Sequence, residues 1–570
     1  MRCDGFLAWV FHNVVLVAWL HLGLGLCVSW AQHGPHGPEN GQNTPPNAQG
    51  QIAPRLQNLG RHTFRVKTRS KRAQEFFNQG INLSYGFNHA EAMRAFREVA
   101  RLDPQCAMAY WGQALVLGPN INMPMPPEAE PEAYKLMQKA LELKPHADSR
   151  ERAYIDALAK RYSGDAKPDR KTLDRAYADA MKAVSKRYPE DLDAATLYAE
   201  ALMDLRPWNY WTRDGQPYAE TPEILSTLES VMKRNPNHPG ACHFYIHAVE
   251  ATKSPELAEA AADRLSKLMP GAGHMVHMPS HIYYRVGRYA DASKSNAQAS
   301  AVDEEYIAQC RAQGIYPLTY YPHNLHFLYA AASLEGNGEL AILAAEKVAA
   351  AIPHHALKDF PMLQGFLAIP DFALARFGRW EQILKLPAPA HDTLFLKGVR
   401  HYVRGTALAA TGRLDEATRE MDALRGILAD KALDNTPASF SNNSARGILS
   451  IAPEVLAGEL AARRGDFGQA VSHMETGVRL EDALVYIEPP DWYFPVRQAL
   501  GAVLLQAGRP REAEVVYWED LRRYPHNGWS LFGLLQSLRA QERNDEGANI
   551  EQRFNKAWAQ ADVKLTASRF

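Results

Sequence analysis

At 570 residues the chain exceeds the size at which one hydrophobic core stops growing, which excludes a single compact domain and leaves several domains or an elongated repeat array. Its 46% hydrophobic and 22% charged residues, with a formal net charge of -1, are ordinary for a folded chain and exclude a surface built for polyanions, so nucleic acid is not an expected partner. Five cysteines, with Cys3 and Cys27 close to the N-terminus, are too few and too scattered for a disulfide framework, so helix packing must supply the stability.

The first element, residues 1–31, reads as an export signal: Arg2, an apolar run from Val14 to Val28, and small residues around Ser29-Trp30-Ala31 spaced for cleavage. Uncleaved, the same run is a membrane anchor of borderline length. Either way the remainder is expected to be periplasmic or extracellular, with no membrane span after cleavage. Residues 32–57 are rich in Gly, Pro, Asn and Gln and nearly free of large apolar residues, which predicts a disordered linker. Residues 58–570 read as helix throughout, with apolar residues at helical spacing and no sustained alternation.

A repeat organises this body. A glycine five residues before an alanine marks a tight turn between paired helices, in Gly287/Ala292, Gly336/Ala341, Gly412/Ala417, Gly465/Ala470 and Gly508/Ala513. Seven residues before the glycine sits a small residue that allows close helix approach: Ser280, Gly405, Gly458 and Gly501. A proline twelve residues after the alanine ends the second helix in Ala92/Pro104, Ala258/Pro270 and Ala513/Pro525. GRPREAEVVYWEDLRRYP (Gly508 to Pro525), WSLFGLLQSLRA (Trp529 to Ala540), and the 34-residue steps from Ala258 to Ala292 and from Ile383 to Ala417 resemble the tetratricopeptide repeat. The resemblance covers most of residues 75–560 and implies an all-α helix-turn-helix solenoid, interrupted by insertions at Gly118–Pro127 and Arg206–Thr221. Such solenoids are usually scaffolds that receive a protein or peptide in a concave groove.

Three histidine groups lie in the first helices of successive repeats. In HFYIHAVE, His243 and His247 stand at i and i+4 with Glu250 three residues on, one face of one helix. Counted back from the marker alanines, His243, His277 and His326 share one register, His247 and His281 a second, and His274 and His323 a third. Pro279 leaves two starts open for the second of these helices: near Met275, or at Pro279 itself with His274 and His277 on the preceding loop. By the repeat resemblance this face lines the groove. Neighbouring helices about 8–10 Å apart would bring these imidazoles within reach of one or two divalent transition metal ions, zinc, iron or copper. The expected ligand set is therefore His243, His247, Glu250, His274, His277, His281, His323 and His326. Tyr245, Tyr283, Tyr284 and Arg285 would orient a substrate if the metal is catalytic. Cys242 is expected as a buried small hydrophobe, His89 as a cap, and the Glu488-Pro-Pro-Asp491-Trp492-Tyr493 stretch with Arg497 as a capping turn, its aromatics alternatively a ligand wall.

GHMVHMPSHIYYRVGRYADA, PHNLHF and FNHAEAMRAF are similar to a group of exported bacterial tetratricopeptide proteins with this His-rich signature, a resemblance that implies membership and no particular reaction. The chain lacks a nucleophile elbow, a Walker loop, a Rossmann fingerprint and a CxxCH haem motif. Three readings stay open: a metal-dependent hydrolase or oxidase with Glu250 as ligand or base, a non-catalytic metal carrier or sensor, and a metal-free scaffold of the cell envelope.

Overall fold

The computed structural model describes residues 50–165, 167–310, 312 and 315–570. The predicted export signal, and residues 32–49 of the predicted linker, lie outside them. Turn formation follows the glycine markers: Gly287 and Gly508 adopt φ of 81° and 71°, the left-handed backbone that only glycine enters without cost. The alanines five residues on, Ala292, Ala341, Ala417, Ala470 and Ala513, are completely buried between paired helices. Close approach explains the upstream small residues, since a Cβ on Gly501 would lie 2.4 Å from the Tyr517 ring and one on Gly405 2.6 Å from Leu456. Helices His89–Leu102, Glu259–Leu268 and Pro510–Arg523 each end two residues before the expected proline.

The result is an all-α solenoid of helix-turn-helix units running from Lys71 to Ala557. Among the described residues, extended pairing is confined to isolated bridges such as Asn120 with Met123 and Trp211 with Pro217, both inside the predicted insertions. No described helix is long and apolar enough to cross a membrane.

Two features depart from the expectations. Ordered structure begins before residue 58: Ala53 is buried, Ile52 N–H donates to Glu98, and Arg94 and Gln79 donate to the carbonyls of Ile52 and Pro54. These side chains on the first two helices satisfy the segment's backbone, which composition does not reveal. The array also curls back on itself. Trp529 donates to Ser333 O at 2.8 Å, Asp562 caps the helix Gly338–Ala350 through Gly338 and Glu339 N–H, and a Cβ on Gly287 would sit 2.2 Å from Pro525 O. C-terminal repeats therefore reach the middle of the chain, and the face predicted to line an open groove is covered.

Candidate metal centre

Helix Pro239–Val249 opens on His238, whose Nδ1 accepts Ala241 N–H, with Pro239 at the first position. This places His243 and His247 on successive turns, facing inward and 0% and 2% exposed. The next first-helix is Gly273–His277 and Pro279–Arg285, joined through Met278 at φ -50°, ψ -36°. These are helical angles, so the path is continuous and His274, His277 and His281 keep helical spacing. The missing N–H of Pro279 falls where the short helix has just ended. His323 comes from Ile315–Glu335, which carries Pro322 inside it.

Six imidazoles form one contiguous cluster. His243 Nε2 and His274 Nε2 are 3.1 Å apart, and His277 Nε2 and His281 Nε2 are 3.0 Å apart. The His247 ring lies 4.8 Å from His243, the His323 ring 4.8 Å from His277, and His247 and His281 are 5.8 Å apart. In each of the trios His243/His247/His274 and His277/His281/His323, one nitrogen per residue falls within 4.8 Å of the others. Two nitrogens on one tetrahedral zinc are about 3.3 Å apart, given bonds of about 2.0–2.1 Å. The observed pairs are near that value.

The outer nitrogens are tethered. Tyr85 O can only accept, so His243 Nδ1 donates to it at 2.6 Å. Asn296 uses Nδ2 on Ala292 O, which leaves Oδ1 to accept from His277 Nδ1 at 2.6 Å. His247 Nδ1 donates to Glu250 Oε1 at 3.0 Å, and His281 Nδ1 lies against Glu250 Oε2 and 3.4 Å from Glu488 Oε2. His243, His247 and His277 thus direct an Nε2 lone pair inward, the tautomer that outer-shell acceptors impose on metal-binding histidines. His247 Nε2 has no hydrogen-bond partner at all.

Charge follows the same division. Burial, and then neighbouring imidazoles, hold His243, His274, His277 and His323 well below the usual histidine range. His247 is lowered by burial. These five are neutral bases at neutral pH, the ligating form. His281 differs: burial opposes its charge, but Glu250 and Glu488 outweigh burial and raise it, while Glu250, also desolvated, is drawn down by His281 and His247. The two form a buried ion pair at the seam between the trios.

Glu250 therefore touches the outer nitrogens of one histidine from each trio, which makes it the orienting carboxylate of both. His326 does not join the cluster. Its ring stacks on Tyr329 at 6.1 Å and meets Phe366 at 5.8 Å, because its helix presents that position to the following repeat. Tyr245 and Tyr283 point outward to Glu229 and Asp263, since they sit two residues from the inward histidines. Arg285 braces the centre from behind, donating to the carbonyls of Glu250 and Thr252. Cys242 is fully buried, and its thiol contacts Pro236 O. The cap of helix His89–Leu102 is Asn88 and not His89.

The surroundings of the centre were not foreseen. The Glu488 stretch, expected as a capping turn, puts its carboxylate beside His281 because the array curls. Phe87 packs its ring 4.7 Å from His243. The two insertions supply rims: Trp208 stands 5.0 Å from His247 while 43% exposed, and Asn122 donates to Tyr320, whose ring lies 4.9 Å from His274. A further group, His62, Asp193 and His238, sits behind Tyr85. Asp193 Oδ1 there faces His62 at 2.9 Å, His238 at 3.2 Å and the Tyr85 hydroxyl at 2.6 Å. Both His238 nitrogens are used, on Ala241 N–H and Asp193, so this group fixes Tyr85, whose carbonyl holds His243.

No family model and no curated protein matches the chain. Solved structures that align with most of it include Cut9 in its APC/C hetero-tetramer with Hcn1, at 13% identity over 85% of this chain and 76% of that one, TM-score 0.30. Human IFIT1, a dimer with m7Gppp-AAAA, aligns at 12% identity over 86% and 91%, TM-score 0.29. Yeast Tom70 aligns at 11% identity over 85% and 91%, TM-score 0.26. At such scores the fold assignment rests on the helices, turns and packing described above.

Proposed function

We propose that this chain is an exported tetratricopeptide-type scaffold that binds divalent transition metal ions in two adjoining centres, His243/His247/His274 and His277/His281/His323. One observation carries the reading: His243, tethered at Nδ1 by Tyr85, turns its Nε2 to His274 Nε2 at 3.1 Å, and His277, tethered by Asn296, turns its Nε2 to His281 Nε2 at 3.0 Å, all four rings buried. In the ion-free centre His281 is protonated against Glu250 and donates Nε2–H to His277 at 3.0 Å, and a cation between the two nitrogens would take the place of that proton. An inner set of imidazoles with carboxylates outside suits zinc, copper or iron over magnesium or calcium. Three protein ligands per ion leave a fourth position for water or substrate, and an ion so held would supply a Lewis acid and a water of lowered pKa. The chain's own residues bind through the six histidines, orient them through Glu250 and Tyr85, and exclude solvent through Phe87 and Trp208.

The test is elemental analysis of the protein purified without a metal-affinity tag, beside a variant with His243, His247, His277 and His281 replaced by alanine. Near-stoichiometric metal in the first and its loss in the folded second is the expected result. No metal in either protein, including after zinc, copper and iron are offered and excess is removed, would overturn the reading and leave a metal-free scaffold for a protein or peptide.

A further inference from the structure

Helix Tyr289–Cys310 packs along the histidine helix Gly273–Arg285. Asn296 on it holds His277 Nδ1, and Asp303, about two helical turns further on, is completely buried. Tyr316 donates its hydroxyl hydrogen to Asp303 Oδ1 at 2.9 Å, and Asn324 Nδ2 donates to Oδ2 at 2.7 Å. Both donors lie on helix Ile315–Glu335, where Asn324 directly follows His323. The Tyr316 oxygen in turn accepts the backbone N–H of His274 at 3.3 Å. Its ring stacks at 5.0 Å on Tyr320, whose own ring meets that of His274 at 4.9 Å. Gly273, the residue before His274, lies so close to the carboxylate that a Cβ there would stand 1.9 Å from Oδ1, and glycine alone permits that approach.

His274 and His323 are the two rings of the cluster without an outer tether. The other four are held at Nδ1 by Tyr85, Glu250 or Asn296. His274 Nδ1 has no hydrogen-bond partner, and burial and neighbouring charges, with no hydrogen bond, act on His323. A ring not gripped from outside is placed by the run of its backbone. Asp303 fixes both runs at once, one oxygen reaching the His274 amide through Tyr316 and the other holding the residue after His323. Glu250 thus grips His247 and His281 by their rings while Asp303 grips His274 and His323 through their backbones, in each case one histidine from either trio. Burying a carboxylate is costly, and hydrogen bonds to neutral groups offset the cost only in part. Among the described residues Asp303 is paired with no cation, and burial pushes its carboxyl up to about 7. A metal ion in the adjoining trios would supply the opposite charge.

We propose that Asp303 is a positioning residue for both metal trios, setting His274 through Tyr316 and His323 through Asn324. The inference rests on the metal reading above and deepens it. It assigns two branches that substitution can separate, because the Tyr316 hydroxyl bonds to the backbone of His274 in the first trio and Asn324 anchors the turn that carries His323 in the second.

The probe is zinc, offered to the chelator-treated full chain, with affinity read by competition against a chromophoric chelator and folding by circular dichroism and thermal melting. His323→Ala leaves the first trio to be read alone, and His243→Ala leaves the second. In the His323→Ala background Tyr316→Phe should weaken zinc binding about tenfold or more and Asn324→Leu about threefold or less, and in the His243→Ala background the order should reverse. Asp303→Ala should weaken both trios about tenfold or more. Asp303→Asn, which still offers Tyr316 an acceptor, should restore most of the first trio's affinity. If Asp303→Ala does not fold, the Tyr316 and Asn324 variants decide. The proposal is overturned if the folded variants bind zinc as their parents do, even with a lowered melting temperature, since that result confines Asp303 to stability. It is equally overturned if Tyr316→Phe and Asn324→Leu each weaken both trios alike. A wild type that takes up no metal overturns the two centres and this proposal together, whereas a wild type holding two ions beside indifferent variants overturns this proposal alone.

Discussion

Replacing Glu250 by Gln tests the geometry of the centre at the point where both trios meet. The side chain is fully buried, with Oε1 on His247 Nδ1 at 3.0 Å and Oε2 against His281 Nδ1. The amide has the same shape, so the fold should survive. Its oxygen can still accept from His247. Its NH₂, however, must face His281 Nδ1, which then becomes an acceptor and moves its proton to Nε2, toward His277. One trio keeps its tautomers and the other loses one. Removal of such an outer-shell partner weakens metal binding about 10–100-fold, or about 1.4–2.7 kcal/mol. We therefore expect Glu250→Gln to retain one tightly held ion and to bind the second about 10–100-fold more weakly. Competition with a chromophoric chelator measures both affinities, with circular dichroism and thermal melting as controls. Two ions bound with wild-type affinity by the variant would refute the assigned tautomers and the role given to Glu250.

Three further outcomes are expected. Gly287→Ala puts a Cβ 2.2 Å from Pro525 O at a φ of 81°, combining left-handed strain with a backbone clash, and should lower stability by at least about 1–3 kcal/mol in urea unfolding; an unchanged midpoint would refute the contact between these two parts of the array. His326 is lowered to about 3 by burial, so its contribution to stability is complete above its unfolded value of 6.5 and is lost progressively as pH falls toward 3. Chelator-treated wild type should accordingly lose more stability than His326→Leu between pH 7 and pH 5, and a constant difference between them would refute this. Because Trp208 lies 5.0 Å from His247, copper(II) should quench tryptophan emission of the chelator-treated protein, and Trp208→Phe should remove a substantial part of that quenching; equal quenching in the variant would place the ion elsewhere.

How much was legible in the sequence differs between fold and site. The turn glycines and buried alanines recur at fixed spacing because each repeat solves the same local packing problem, so Gly508 and Ala513 can be read from one stretch of chain. The inward register of His243, His247, His277 and His281 is likewise a helical property, legible from i, i+4 spacing and the repeat markers. His326 shares that register but faces the next repeat, because register gives the face of a helix and not which neighbour covers it. Tyr245 and Tyr283 show the same limit from the other side: lying near a histidine in sequence puts a side chain on a different face two residues away.

Sequence alone determined the solenoid, its repeat markers and the helical register shared by His243, His247 and His281, since these follow from backbone periodicity and from steric demands within one or two repeats, whereas the path through Pro279 that places His274 and His277 was left open. The tertiary structure decided everything that depends on superhelical curvature. Glu488 reaches His281 across about two hundred residues of chain, Trp208 and Asn122 arrive from insertions with no repeat to index them, and Arg376 loses solvent without gaining a carboxylate because helix Gly528–Arg539 brings Trp529 over it. Small rotations between successive repeats add up over the array, and no local pattern of residues records their sum.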